Sequence, residues 1–261
     1  MSQFAKQPRS QDQKAGSASS MLDDLAKYDT PTICNVIELF GGQSPTSGYI
    51  DHRIRCWFDK LPPMVGYACT ATFRSAAPAS NGSASANACA SKEVAHLVES
   101  FSNVPGPAVV VFQDLDDPPA AACFGDIACN TYQAFGAVGF MTSGAGRDLA
   151  QVEALNFPVF ASSAMCSHGY GRLTTIGEHV RVGGVMIYQG DLLHGDRNGV
   201  IVIPHKIAPY VADVAGKVME VEEPVLQYLK KPQSPTVEGY RAVIQEMQDQ
   251  LKDIQANIAS R

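Results

Sequence analysis

The middle of this chain alternates continuous apolar runs with stretches of helical spacing, and that alternation leaves few folds open to it. The run AVVVF at residues 108–112 has no polar face, the pattern of a strand covered on both sides. It follows a stretch of helical character predicted over 92–101 and a break at Gly106-Pro107. The order continues with helix at 132–135, strand at 137–141, helix at 149–155 and a strand opening at 158–161. Strands alternating with helices imply α/β layering, because each helix carries the chain back to a sheet whose faces both need covering. The string MVGYACTATFR at 64–74, rich in strand formers, reads as a further core strand.

The flanks differ from this middle. Residues 21–40 fit two short helices broken at Asp29-Thr30-Pro31, where Thr or Asp can cap and Pro suits a first turn. Residues 75–87 are almost all Ala, Ser, Gly, Asn and Pro, a loop placed to border a site. After His168 the chain turns to short paired strands: HVRVGGVMI, a turn at Gln189-Gly190-Asp191, then GVIVIP behind Arg197-Asn198-Gly199, where Asn-Gly signals a hairpin. Residues 236–261 carry Val237, Tyr240, Ile244, Met247, Leu251, Ile254 and Ile258 at helical spacing on a polar background, an amphipathic helix for self-docking or subunit contact. Residues 1–20, rich in Gln, Ser, Ala and Lys, read as a tail that buries too little to order itself. The main α/β unit is then 21–235.

Composition removes several function classes. The formal net charge is -6, with 20 Lys+Arg against 26 Asp+Glu and no basic run, which argues against nucleic acid as a partner. The seven cysteines never fall in a C-x-x-C pair, as in a cytoplasmic protein without a disulfide or zinc framework. No window approaches the roughly 18 apolar residues of a membrane span.

Gly144-Ala145-Gly146 lies between a predicted strand and a predicted helix, where open α/β sheets place ligand-binding turns. Arg147 adds a planar fork suited to a carboxylate or phosphate. Asp148 has two readings: a ligand-binding acid, or the cap of its own helix in a D-x-x-Q capping box with Gln151. Neither G-x-G-x-x-G nor a G-K-[ST] ending is present, so a nucleotide loop is not indicated.

The strings GDIA, AVGFMTSGAGRD, FPVFA and VGGVMIYQGDLLHGDRNGVIVIP, in that order, resemble the RraA-like family, over about residues 21–234. That family includes class II 4-hydroxy-4-methyl-2-oxoglutarate / 4-carboxy-4-hydroxy-2-oxoadipate aldolases, and also proteins that regulate a ribonuclease by protein contact without catalysis. The resemblance implies a layered α/β/α fold with a mixed sheet and a β-rich swivelling-type half, assembled as a homotrimer or hexamer. It implies that Asp148 holds Mg²⁺ or Mn²⁺ and that Arg147 grips a small anionic 2-oxo acid. It further implies that Asp126 bonds a metal-bound water, while Gly125 and the amides of Ile127 and Ala128 bind the substrate. Glu222 or Glu223 is the acid implied to reach a neighbouring subunit's site. Three positions depart from the family pattern: Ser143 where Asp is common, Gly146 where a bulkier apolar residue is common, and IAC after Asp126 where two leucines are common. The activity so implied is a metal-dependent lyase that releases pyruvate and also decarboxylates oxaloacetate.

Other residues have bland readings beside functional ones. Cys166 and His168 form a lone C-x-H beside glycines, more typical of a strand end than of a nucleophile or metal pair. Asp191 and Asp196 sit in G-D turns that favour Asp for local hydrogen bonds. Arg74 and Arg172 read equally as surface residues or anion contacts.

Overall fold

The computed structural model describes residues 20–78, 92–231 and 234–259. The tail expected over 1–20, apart from Ser20, and the 79–87 part of the expected loop lie outside the described residues. Residues 20–25 form α1, and Asp29 then caps α2 (Thr30–Leu39). The Asp29 side chain accepts from the Thr32 amide at 2.9 Å, and Pro31 stands in the first turn, where its missing N–H costs nothing.

The chain continues through β1 (Arg55–Cys56), β2 (Met64–Arg74), α3 (Lys92–Glu99), a 3-10 turn at Ser100–Asn103 and β3 (Ala108–Asp114). Next come β4 (Ala122–Phe124), α4 (Asp126–Ala134), β5 (Ala137–Thr142), β6 (Ala145–Gly146), α5 (Leu149–Ala154), β7 (Val159–Ala161) and β8 (Ser163–Ala164). The β-rich half follows: β9 (Arg172–Ile176), β10 (Val180–Val182), β11 (Val185–Ile187), β12 (Leu192–Asp196) and β13 (Gly199–Ile203). Two long helices close the described chain, α6 (Ala208–Leu229) and α7 (Val237–Ala259).

The fold is the layered α/β one expected, with a mixed main sheet in the order β1-β7-β5-β3-β2-β12-β13. Strands β2, β3, β5 and β7 run parallel, the arrangement that helical crossovers produce. The outer side of β2 serves two antiparallel partners in turn, β12 along residues 64–67 and β9 along residues 71–74. Every β2 residue except Arg74 is buried, because both faces are covered.

The period-2 alternation of the sheet sorts its side chains into two cores. Tyr67, Cys69, Ala71, Phe73, Val110, Phe112 and Phe140 face the helices, joined by Ile33, Leu97, Cys129, Tyr132, Val152 and Val214. Met64, Ala68, Val109, Val111, Met141 and Phe160 face the other way, against Ile50, Ile54 and the β10–β11 hairpin. Gly183 and Gly184 take φ of 53° and 82° in the hairpin turn, which only glycine adopts at no steric cost. The hairpin is tied down where the Arg181 amide donates to Gln113 Oε1 at 2.8 Å.

A buried histidine joins the β-rich half to the first helices. His194 Nε2 donates to the Leu25 carbonyl at 3.2 Å, which leaves Nδ1 to accept from the Thr30 hydroxyl at 3.0 Å. Burial pushes its pKa down, so it is held as the neutral ring.

Two elements correct the expectations. The helix predicted at 132–135 begins at Asp126, so that acid stands in the first turn of α4. The 22-residue α6, absent from the expected elements, buries one stripe through Val211, Val214, Ala215, Val218 and Val225. Helix α7 has no buried residue; it packs along α6 and turns Leu251, Ile254 and Ile258 toward the main core.

Candidate active site

A second, very small sheet builds the site. Strands β4, β6 and β8 run parallel in that order, and the residues just past their carboxyl ends carry the candidate chemistry. Strand β4 delivers Gly125 and Asp126, β6 delivers Arg147 and Asp148, and β8 leads to His168. Ligands in parallel α/β sheets sit at this end of the strands. Backbone bonds fix the three peptides: the Arg147 amide donates to the Phe124 carbonyl at 3.1 Å, Met165 to Gly146 at 2.9 Å, and Ala122 to Ser167 at 2.8 Å.

Two glycines make this approach possible. A Cβ on Gly146 would lie 1.9 Å from Cζ of Phe124, so the phenyl ring occupies the space that a bulkier residue would need. This accounts for the small residue at that departure from the family pattern. A Cβ on Gly125 would lie 2.5 Å from Asp148 Oδ2, so only glycine lets that carboxylate reach the start of α4.

Asp148 decides between its two readings by its backbone. It adopts φ 54° and ψ 37°, left-handed, and its side chain makes no capping bond to α5. The D-x-x-Q capping reading is therefore overturned, since no bond from the Asp148 side chain reaches the first turn of α5. Its Oδ2 accepts instead from the Asp126 amide at 3.3 Å, across 22 residues of sequence, and lies 3.5 Å from Arg147 Nε. A non-glycine residue in this region costs on the order of 1 kcal/mol or more, and such strain persists where the surroundings enforce it, often at functional sites.

Around this contact Phe73, Gly125, Asp126, Ile127, Ala128, Arg147 and His168 line one cavity of about 30 Å³. Beside it the side chains of Arg147 and Asp148 remain 32% and 30% exposed. Asp126 Oδ1 accepts from the Ile127 amide at 2.7 Å, Ile127 is 62% exposed at the rim, and Ala128 is buried. The structure thus brings together Gly125, Asp126, Ile127, Ala128, Arg147 and Asp148, six residues singled out from sequence. It adds His168, whose sequence signal, a histidine between glycine-rich turns, had the blander reading of a strand end.

Glu222 and Glu223 lie on α6 and do not line this cavity; Glu223 accepts from Gln227 one turn along. Asp191 and Asp196 do what turn aspartates do, accepting from the amides of Tyr188 and Asn198 at 2.8 and 2.7 Å. Arg172 donates to the Ala77 carbonyl, and Cys166 is an exposed free thiol. Among the described residues no three His, Cys, Asp or Glu side chains gather as a metal-ligating cluster. An ion at Asp148 would take that one carboxylate and waters, a mode that suits Mg²⁺.

Behind the site, at the end of β3, Asp114 is 8% exposed and its Oδ2 has no hydrogen-bond partner. Burial, with Asp116 nearby, pushes its pKa up to about 6. A raised folded-state value means that the folded protein holds this proton more tightly than the unfolded chain does. Asp114 therefore costs stability progressively as pH rises from about 4 to about 6, by about 3 kcal/mol once ionised. In urea unfolding at pH 4 and pH 7, Asp114→Asn should gain on the natural protein by about that much at the higher pH. Equal differences at both pH values would show that Asp114 is not held protonated.

Comparison with known proteins adds the family. The family model described as RraA-like, Aldolase/RraA, matches residues 30–202. The chain belongs to the RraA-like family. A relative in Halalkalibacterium halodurans named "Putative 4-hydroxy-4-methyl-2-oxoglutarate aldolase" is 32% identical over 151 residues, 58% of this chain and 64% of that protein. A second, the uncharacterized protein MJ0644 of Methanocaldococcus jannaschii, is 31% identical over 115 residues, 43% of this chain and 54% of its own length. Each match thus spans less than two thirds of the relative. Among solved structures, an uncharacterized Pseudomonas syringae protein superposes with a TM-score of 0.65 at 21% identity, covering 92% of this chain and 98% of its own. Streptomyces coelicolor RraAS2, described as an unusual member of the RNase ES inhibitor RraA protein family, gives 0.61 at 19% identity, over 84% and 98%. These structures share the RraA-like fold. No helix among the described residues is long and apolar enough to cross a membrane.

Proposed function

We propose that this RraA-like chain is a divalent-metal-dependent carbon-carbon lyase that cleaves 4-hydroxy-2-oxo dicarboxylic acids to pyruvate and a second oxo acid, and also decarboxylates oxaloacetate. The observation that carries this reading is Asp148, held left-handed so that its carboxylate meets Arg147 and the start of α4 rather than capping α5. The relative named as an aldolase supports it at the level of reaction class.

Breaking the bond beside a ketone leaves an enolate, so the site must stabilise negative charge where none existed before. Asp148 would hold Mg²⁺ or Mn²⁺, which would supply Lewis acidity to the 2-oxo acid when bound. Arg147 offers its guanidinium to the 2-oxo acid carboxylate. The Ile127 and Ala128 amides, in the first turn of α4, point their N–H groups the same way. Because Ile127 now donates to Asp126 Oδ1, a substrate carboxylate that takes this donor frees Asp126 for proton transfer. Glu222 or Glu223 would complete the site from a neighbouring copy in a homotrimer or hexamer. The setting is cytoplasmic, and neither nucleic acid nor membrane is a partner in this reading.

Pyruvate release from 4-hydroxy-4-methyl-2-oxoglutarate should require Mg²⁺ or Mn²⁺ and stop with chelator. Turnover that persists in chelator would overturn the metal role. No turnover of any 2-oxo acid, with a stoichiometric protein partner recovered instead, would favour the second reading, a non-catalytic RraA-like regulator of ribonuclease activity.

A further inference from the structure

Cleavage of a 4-hydroxy-2-oxo acid needs two proton transfers at different atoms. The C4 hydroxyl must lose a proton as the C3–C4 bond breaks, and C3 must gain one as the enolate becomes pyruvate. Asp126 supplies one carboxyl group, and His168, beyond the third strand of the small sheet, lines the same cavity. Its Nδ1 lies 2.8 Å from the Gly169 carbonyl. A carbonyl oxygen only accepts, so Nδ1 must carry the hydrogen, and the neutral ring then presents Nε2 as a lone pair. No described residue engages Nε2, in contrast to His194, whose two nitrogens are both occupied within the core.

We infer that His168 is the general base for the C4 hydroxyl, an assignment that rests on the lyase reading above. Nε2 takes the hydroxyl proton, C4 becomes a carbonyl as C3–C4 breaks, and the bond pair passes into the pyruvate enolate. Protonation at C3 from the Asp126 side completes pyruvate, and the imidazolium returns its proton to solvent. The backbone acceptor at Gly169 sets which nitrogen is the base, as orienting partners do for other catalytic histidines.

The test compares two reactions of the same site. Aldol cleavage of 4-hydroxy-4-methyl-2-oxoglutarate involves the C4 hydroxyl, whereas deuterium exchange into the pyruvate methyl group, followed by NMR with Mg²⁺, does not. His168→Gln should lower the ratio of cleavage to exchange by about 100-fold or more. In His168→Ala, added imidazole should restore cleavage, a rescue that a purely structural role would not give. Parallel loss of both reactions in each variant without rescue, or an unchanged ratio, would overturn the assignment while the lyase reading stands. Should the natural protein catalyse neither reaction, the lyase reading itself fails, and the role of His168 falls with it.

Discussion

Asp148→Asn should lower the proposed metal-supported pyruvate release by about a thousandfold, equivalent to about 4 kcal/mol of lost transition-state stabilisation, and leave the fold nearly untouched. Asparagine suits this site as a control because it tolerates the left-handed region and keeps an oxygen to accept from the Asp126 amide. What it removes is charge. If Asp148 served only as a cap across to α4, the substitution would cost a few tenths of a kcal/mol at most, because Asn and Asp cap almost equally well. Initial rates over a range of Mg²⁺, with a thermal melt of both proteins, separate the roles. A variant that melts like the natural protein and keeps its rate would end the metal-ligand reading.

The second large effect is on stability. Phe140 is fully buried, with ring centroids 5.0 Å from Phe112, 4.9 Å from Phe124 and 6.0 Å from Tyr132. Phe140→Ala would open a cavity among three rings that cannot close it, since two lie on strands and one on α4. The expected loss is about 3–5 kcal/mol in urea unfolding. Because Phe124 leads into Gly125 and Tyr132 anchors α4, the same change loosens the peptide that carries Asp126. Activity should fall with stability, while Phe140→Leu keeps most of both. A loss under about 1 kcal/mol would mean that the cluster relaxes around the void.

The strands of the main sheet were legible because each has several consecutive apolar residues, as at 64–74 and 108–112, and burial on both faces writes itself into such runs. The β12–β13 hairpin, marked by its Asn198-Gly199, and the long stripe on α7 were readable as well. The start of α4 was not. In GDIACNTYQ the apolar Ile127 is exposed and the buried positions of the first turns are the small Ala128 and Cys129, so no apolar period marks the start of the helix. Strands β4, β6 and β8, two or three residues long, are too short to show any period, yet they position the site. Asp148 misled locally because its motif is a capping one, and only its φ of 54° shows where the carboxylate goes. The C-x-H of Cys166 and His168 reads in sequence as a strand end, and the cavity neighbours of His168 come from the two other strand ends.

That small sheet also bears on how a single architecture serves more than one trade. Each of its strands contributes a separate peg: an acid at a helix start, an Arg-Asp pair, and a glycine-rich turn bearing a histidine. The pegs are aligned by main-chain bonds, which do not depend on which side chains they carry. The side chains of the turn after β8 can therefore change without disturbing the dipeptide at 147–148. Equally, losing that dipeptide would silence the chemistry and leave a well-made surface free for another use.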